Sequence, residues 1–292
     1  MDRKDFIKTS LLGFAAMTSL NSFKKFSSDL SEDGQTMPLL FVGHGSPMNA
    51  IEDNEFSSRW KKMGKEIPRP KAVLCISAHW YTRGTQITAM PNPPTIHDFG
   101  GFPQELFNVQ YSAPGNPELA KSAAAQVKKT NVGLDHEWGL DHGTWSITKQ
   151  MYPDAKIPVL QLSIDYTQNA QWHFELAKEL APLRRKGVLI MGSGNMVHNL
   201  GMIDWSKPNS GYDWAIEANE KFKGLISKED FASLINYDAL GKAVKYSIPS
   251  PDHYLPLLYA LGLKEKDEKI SFFNDQTLMG SLSMTSVKID KA

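Results

Sequence analysis

Four short apolar runs, at residues 38–42, 72–77, 158–164 and 188–191, restrict the fold of this chain more than any other feature. Each is too short for a helix and is bounded by turn residues, so each reads as a buried strand; a more alternating run at 85–90 reads as a further strand. Helical patterns occupy residues 54–65, 117–130 and 169–185, then 212–226, 230–237 and 254–261. The second of these opens well, with Asn116 as N-cap and Pro117 at the first helical position. Strands separated by helical spacers predict parallel βαβ units. The expected fold is therefore α/β, a single domain over residues 37–292 with a mostly parallel central sheet flanked by helices.

Between 91 and 117 the chain is rich in Pro, Gly and aromatics, which predicts a structured loop beside a pocket. The 292 residues are 41% hydrophobic, enough for a sizeable core. Lys plus Arg and Asp plus Glu balance at 32 each, and no basic block interleaves with aromatics, so nucleic acid is not an expected partner. Cys75 is the only cysteine and lies inside an apolar run, which excludes an internal disulfide and any CxxC metal motif.

Residues 1–36 differ from the rest. Arg3, Lys4 and Lys8 precede the modest apolar stretch at 11–17, which is too short to span a bilayer, so stable membrane insertion is not expected. Arg3-Lys4-Asp5-Phe6-Ile7-Lys8 resembles a twin-arginine export signal with Lys at the second position. This segment reads either as a signal carrying the chain to the periplasm or as a disordered extension of a cytoplasmic protein.

Four histidines stand where predicted elements end: His44 in Gly43-His44-Gly45-Ser46-Pro47, His79 in Ser77-Ala78-His79-Trp80, His198 in Met196-Val197-His198-Asn199, and His253 in Pro251-Asp252-His253-Tyr254. Neutral imidazoles delivered from separate elements suit a divalent transition-metal ion, and open α/β sheets gather ligands at the carboxyl ends of their strands. A metal site at the strand C-terminal ends is therefore expected. His142 lies beside Asp141 in a Gly-flanked turn and suits proton transfer. His97 and His136 fall in polar loops, and His173 lies within a helical pattern as a structural residue. Gly192-Ser193-Gly194-Asn195 lacks the third glycine of a dinucleotide loop and the Gly-Lys-Ser/Thr of a P-loop; its glycines are read as permitting a sharp turn that faces Asn195 and His198 into a cavity. No Gly-x-Ser-x-Gly elbow supports a serine hydrolase.

Together with Asp98-Phe99-Gly100-Gly101-Phe102-Pro103 and Leu140-Asp141-His142-Gly143-Thr144-Trp145, these motifs resemble, in order, the class III extradiol ring-cleavage dioxygenases of the LigB superfamily, in particular the 4,5-DOPA dioxygenase branch. The resemblance runs from about residue 38 to the C-terminus. It implies a mononuclear non-haem metal, a small aromatic diol as substrate and insertion of both atoms of O2. By that resemblance His44, His79 and His253 bind the metal, His198 is a fourth ligand or an acid/base, and His142 acts beside the substrate. Protocatechuate-type members use two His and one carboxylate, whereas the C-terminal motif here offers His253. Fe(II) is the ion expected for activity, and the added imidazole makes Zn(II) conceivable. Two other readings of the same residues are a member of the scaffold that binds metal or protein without oxygen chemistry, and a zinc-dependent hydrolase.

Overall fold

A computed structural model describes residues 36–291. The export-signal expectation at 1–36 therefore falls almost wholly outside the described residues. In chain order the elements are β1 (Leu39–Gly43), α1 (Glu55–Glu66), β2 (Ala72–Thr82), β3 (Gln86–Thr88), α2 (Gln104–Phe107), α3 (Pro117–Gln126), β4 (Gly133–Asp135), α4 (His142–Met151), β5 (Val159–Asp165), α5 (Ala170–Glu179), α6 (Ala181–Arg185) and β6 (Val188–Gly194). There follow α7 (Asp213–Ser227), α8 (Phe231–Ile235), α9 (Lys242–Ser247), α10 (Leu255–Gly262), β7 (Lys269–Phe273), β8 (Thr277–Leu278), β9 (Leu282–Ser283) and β10 (Ser286–Asp290).

Among the described residues, ten strands form an eight-stranded sheet of order β4-β3-β5-β2-β6-β1-β10-β7 and a separate β8-β9 pair. The four apolar runs of the sequence are the four central strands, β5-β2-β6-β1, and all three pairings among them are parallel. They lack alternation because both faces are covered. Leu39, Phe41, Leu74, Ile76, Leu160 and Ile190 face a layer containing α5, α7 and α10. Leu40, Val42, Val73, Cys75, Val159 and Leu189 face α1 and α4 through Phe56, Trp60, Trp145 and Ile147. No helix among the described residues is long and apolar enough to cross a membrane.

Several elements depart from the sequence reading. The helical pattern at 169–185 breaks into α5 and α6 around Leu180, because Pro182 cannot donate the amide that a continuous helix requires. The antiparallel strands β10 and β7, the latter at the sheet edge, were not legible as strands, and β3 meets β5 antiparallel through one residue pair, Ile87 with Leu162. β2 continues past its apolar run to Thr82, so His79 lies inside a strand rather than at its end. It does so at an irregularity: the register jumps from Ile76 opposite Leu162 to Tyr81 opposite Ile164. The extra residues of β2 bow out of the ladder there, as bulges beside functional sites do.

Register sets the level of the strand ends. Gly43 lies opposite Gly194, and Ser77 lies opposite Ser193. Gly194 also serves a close approach, with its backbone outside the left-handed region. A Cβ there would lie 2.2 Å from the His253 carbonyl oxygen, which already accepts the Asn195 N–H at 2.9 Å. The sharp turn expected of this glycine-rich stretch is thus replaced by a contact that lets the start of α10 rest on β6. Gly194→Ala must push those two backbones apart and is expected to destabilise the protein by about 1–3 kcal/mol, the usual cost of overpacking. Thermal unfolding checks this, and an unchanged Tm would contradict it.

Candidate metal centre

Past the carboxyl ends of β1 and β6 and beside the irregular carboxyl half of β2 the structure gathers His44, His79 and His253, one nitrogen of each lying within 4.8 Å of the others. His44 follows β1 directly and is buried. His79 is carried in by the bulge of β2, and His253 precedes α10. His142 opens α4, beneath its N-cap Asp141, whose side chain accepts the Thr144 N–H. The expected Gly turn at His142 is therefore a helix start. Gly143 is needed there because a Cβ would lie 2.8 Å from Ser77 Oγ and 2.9 Å from His79 Cδ2.

Hydrogen-bond partners assign the tautomers. The Ser193 hydroxyl donates to the Gly143 carbonyl at 2.6 Å, so at its 2.9 Å contact with His44 Nδ1 it must accept. His44 therefore carries its proton on Nδ1 and exposes a lone pair at Nε2. His253 Nδ1 bonds the Asp252 carboxylate, while His79 Nδ1 lies 3.2 Å from Asp98 Oδ2 without a hydrogen bond to it. A carboxylate only accepts, so the His253 ring also presents Nε2 as a lone pair. His253 Nε2 is buried with no protein partner, and His44 Nε2 stands 3.1 Å from His79 Nε2. Two ring nitrogens that close must share a proton or a cation.

Protons are disfavoured. Burial, then the neighbouring imidazoles, lowers His44 and His253 well below the ordinary histidine range. Burial, then His142, brings His79 down to about 3 despite the opposing charge of Asp98. A divalent cation fits instead. Nitrogens at about 2.1 Å from one ion are about 3.0–3.4 Å apart for right-angle to tetrahedral arrangements, which brackets the observed approach.

His198 is close but differently placed. It follows β6 and pairs with Leu282, and its ring stacks face to face on His253 with centroids 3.4 Å apart and planes 5° apart. Its nitrogens are not among those that converge within 4.8 Å. Burial brings its pKa down to about 4, so it too is neutral near pH 7. His142 packs against His79 with ring centroids 3.9 Å apart. Phe99 meets His142 edge to face at 5.6 Å and continues into Phe102 and Phe107, so part of the 91–117 loop forms an aromatic wall beside the histidines.

Of the remaining histidines, His97 contacts the Val109 carbonyl within that loop, His136 is exposed, and His173 is buried against the Tyr259 hydroxyl. The sequence reading assigned no roles to Ser193 and Asp252, the acceptors that orient His44 and His253, or to Asp98, which lies beside His79 and His142. Asp252 adjoins its histidine and was legible in principle as an orienting acid; Asp98 and Ser193 lie far from theirs in sequence. Asp141 was read only as an orienter of His142. In the structure it is buried, accepts from Ser77 Oγ and Gln161 Nε2, and is raised in pKa first by burial and then by Asp98.

Residues 38–285 match the family model for the catalytic LigB subunit of aromatic ring-opening dioxygenase. Similar proteins include a 4,5-DOPA dioxygenase extradiol of Escherichia coli K12, 48% identical over 89% of this chain and 97% of that one. Another, of the same name, from Beta vulgaris is 34% identical over 85% of this chain and 94% of its own. A crystal structure of an uncharacterized Escherichia coli K12 protein superposes with a TM-score of 0.76 at 43% identity, covering 87% of this chain and 100% of that one. The chain belongs to the LigB family of extradiol ring-cleavage dioxygenases, and it is an enzyme of that class.

Acid should destabilise the metal-free protein in a defined window. Unfolded histidines titrate near pH 6.5, whereas His44, His79, His198 and His253 titrate lower when folded, so below about pH 6.5 the unfolded chain binds more protons. Stability is unaffected by these groups above that pH and falls beneath it by up to about 1.4 kcal/mol per pH unit for each group. Denaturation midpoints in chelator at descending pH test this; equal midpoints at pH 7.5 and 5 would contradict it.

Proposed function

We propose that this enzyme opens the ring of a catechol-type, DOPA-like substrate with O2, using one divalent ion, Fe(II) in the active form, held by His44, His79 and His253. The observation that carries this reading is the convergence of three imidazoles, two of which, His44 and His253, bond acceptors through Nδ1 and so leave Nε2 lone pairs for an ion. The names of the relatives support the substrate class. When bound, Fe(II) lowers the pKa of the diol and conducts electron density from it toward O2.

The side chains do the rest. His142, beside the ligands and 3.0 Å from Asp98, holds or releases the proton at the reacting end of the substrate. His198, neutral and stacked on His253, serves either as the base for the first hydroxyl proton or as a fourth nitrogen on the ion. Phe99 and its aromatic neighbours give the substrate ring an apolar surface and keep water from that side. The same all-nitrogen set also suits Zn(II), which cannot change redox state; zinc-filled protein should bind catechols without turning them over.

Protein loaded anaerobically with Fe(II) is expected to consume O2 and form a yellow semialdehyde from at least one of DOPA, protocatechuate, catechol and homoprotocatechuate. No O2 uptake with all four would overturn the substrate class. His44→Ala and His79→Ala are expected to lose tight metal retention while staying folded, and stoichiometric metal in either would refute the ligand set. His142→Ala should keep its metal and slow turnover by about a hundredfold or more; an unchanged rate would leave His142 without a catalytic role. Metal content in His198→Ala decides between its two assignments.

A further inference from the structure

Large apolar side chains left outside the core are concentrated on one face. Eight are exposed among the described residues, and five of them, Leu200, Met202, Trp205, Ile216 and Tyr246, come from the loop after β6, the start of α7 and α9. Contacts join these three segments into one surface. Asn199 Nδ2 donates to the Tyr246 carbonyl at 2.8 Å, which sets Leu200 beside α9. The Tyr246 ring meets Trp214 at 5.7 Å, and Trp214 stacks on Tyr212 at 6.1 Å. The Tyr212 hydroxyl donates to Asp204 Oδ2 at 3.1 Å, which brings in the adjoining Trp205. Ile216 lies one helical turn beyond Tyr212, its N–H bonded to the Tyr212 carbonyl.

Area and charge identify what covers this face. Trp205 is 75% exposed and Leu200 60%. Scaled to whole side chains of about 150–250 Å², the five exposures leave about 500 Å² of contiguous apolar surface. The largest such patch on a typical monomer is about 300–600 Å². Interfaces are a little over half apolar, so with its polar border the face amounts to about 900 Å² per protomer. Each partner in a stable complex contributes about 800 Å². Both signs of charge border the patch: Lys207 and Lys242 lie over the Tyr212 and Tyr246 rings, while Asp204 and Asp213 flank Tyr212. A border of cations and anions can match its own rotated image, whereas an anionic lipid surface selects for cations alone. The chain carries a formal net charge of zero at pH 7, so two copies meet without net repulsion.

We propose that this face is the isologous interface of a homodimer, anchored by Trp205 and Leu200 of each protomer about a two-fold axis. In such a pairing every contact is made twice, so one patch of this size is sufficient. Trp205 has the most surface to bury and is the dominant anchor, as buried tryptophans are in other interfaces.

Sedimentation velocity of the full chain between about 1 and 100 µM tests this, with Trp205→Ala and Leu200→Lys alongside. An interface of this area holds a dimer with a micromolar or smaller dissociation constant, so wild type is expected to be dimeric at about 100 µM. Trp205→Ala should raise that constant about thirtyfold or more, and Leu200→Lys should leave a monomer. Both side chains lie outside the core, so both variants should keep the wild-type Tm. Amide exchange of wild type at the two ends of the concentration range needs no variant, and protection gained at residues 199–205, 212–217 and 242–246 is expected. A dimer that both variants leave intact, or whose protection falls elsewhere, would overturn the proposal. So would a wild-type chain that stays monomeric at about 100 µM, whether or not vesicles of phosphatidylglycerol then capture it through Trp205.

Discussion

Parallel pairing of β2, β6 and β1 in a single register is the constraint on which the rest of the centre hangs. Because Gly43 is level with Gly194 and Ser77 with Ser193, β1 and β6 end together at the level where β2 departs from the ladder. His44 leaves β1, Ser193 of β6 receives its Nδ1–H, and Ser77 of β2 holds Asp141 beneath α4. A slip of one residue would turn each of these side chains to the opposite face. Apolar burial on both faces prevents that slip, so the hydrophobic core and the polar site are specified by the same alignment.

Glycines convert that alignment into contact. Gly194 lets the His253 backbone rest on β6, and Gly143 lets the first turn of α4 rest on Ser77 and His79. Histidines from β1, β2, α4 and the start of α10 therefore meet in a space that larger residues would fill. Each acceptor nearby then removes one tautomeric choice. Burying polar nitrogens without partners costs about 1–3 kcal/mol apiece, so the converging lone pairs are a local instability that a bound cation relieves. Folding and ion binding are linked through this pocket.

How far this was legible depends on whether the signal is local. Asn116 before Pro117 marks a helix start by backbone hydrogen bonding alone, and the structure shows the Asn116 side chain accepting the Leu119 N–H. The 142–151 helix was missed although Asp141 caps it in the same way. Gly143 and the β-branched Thr144, Ile147 and Thr148 depress its helix propensity, and Gly143 is there to make room for His79. His79 itself was misplaced because a bulge depends on the partner strand, which no local pattern reveals. Asp98 looked like one more loop acid, since nothing in its surroundings announces two imidazoles arriving from other elements.

The sequence by itself determined the layered α/β architecture, since unbroken apolar runs between helical spacers can be buried only as a covered parallel sheet. It also determined the family, through ordered motifs whose histidines recur at recognisable positions. Tertiary structure alone decided which nitrogens face one another, which acceptor holds each ring and that His198 stacks on His253 while His44, His79 and His253 converge. The reason is physical: propensity and burial act over a few neighbouring residues, whereas ring orientation and tautomer are set by hydrogen bonds between groups that only the folded chain brings together.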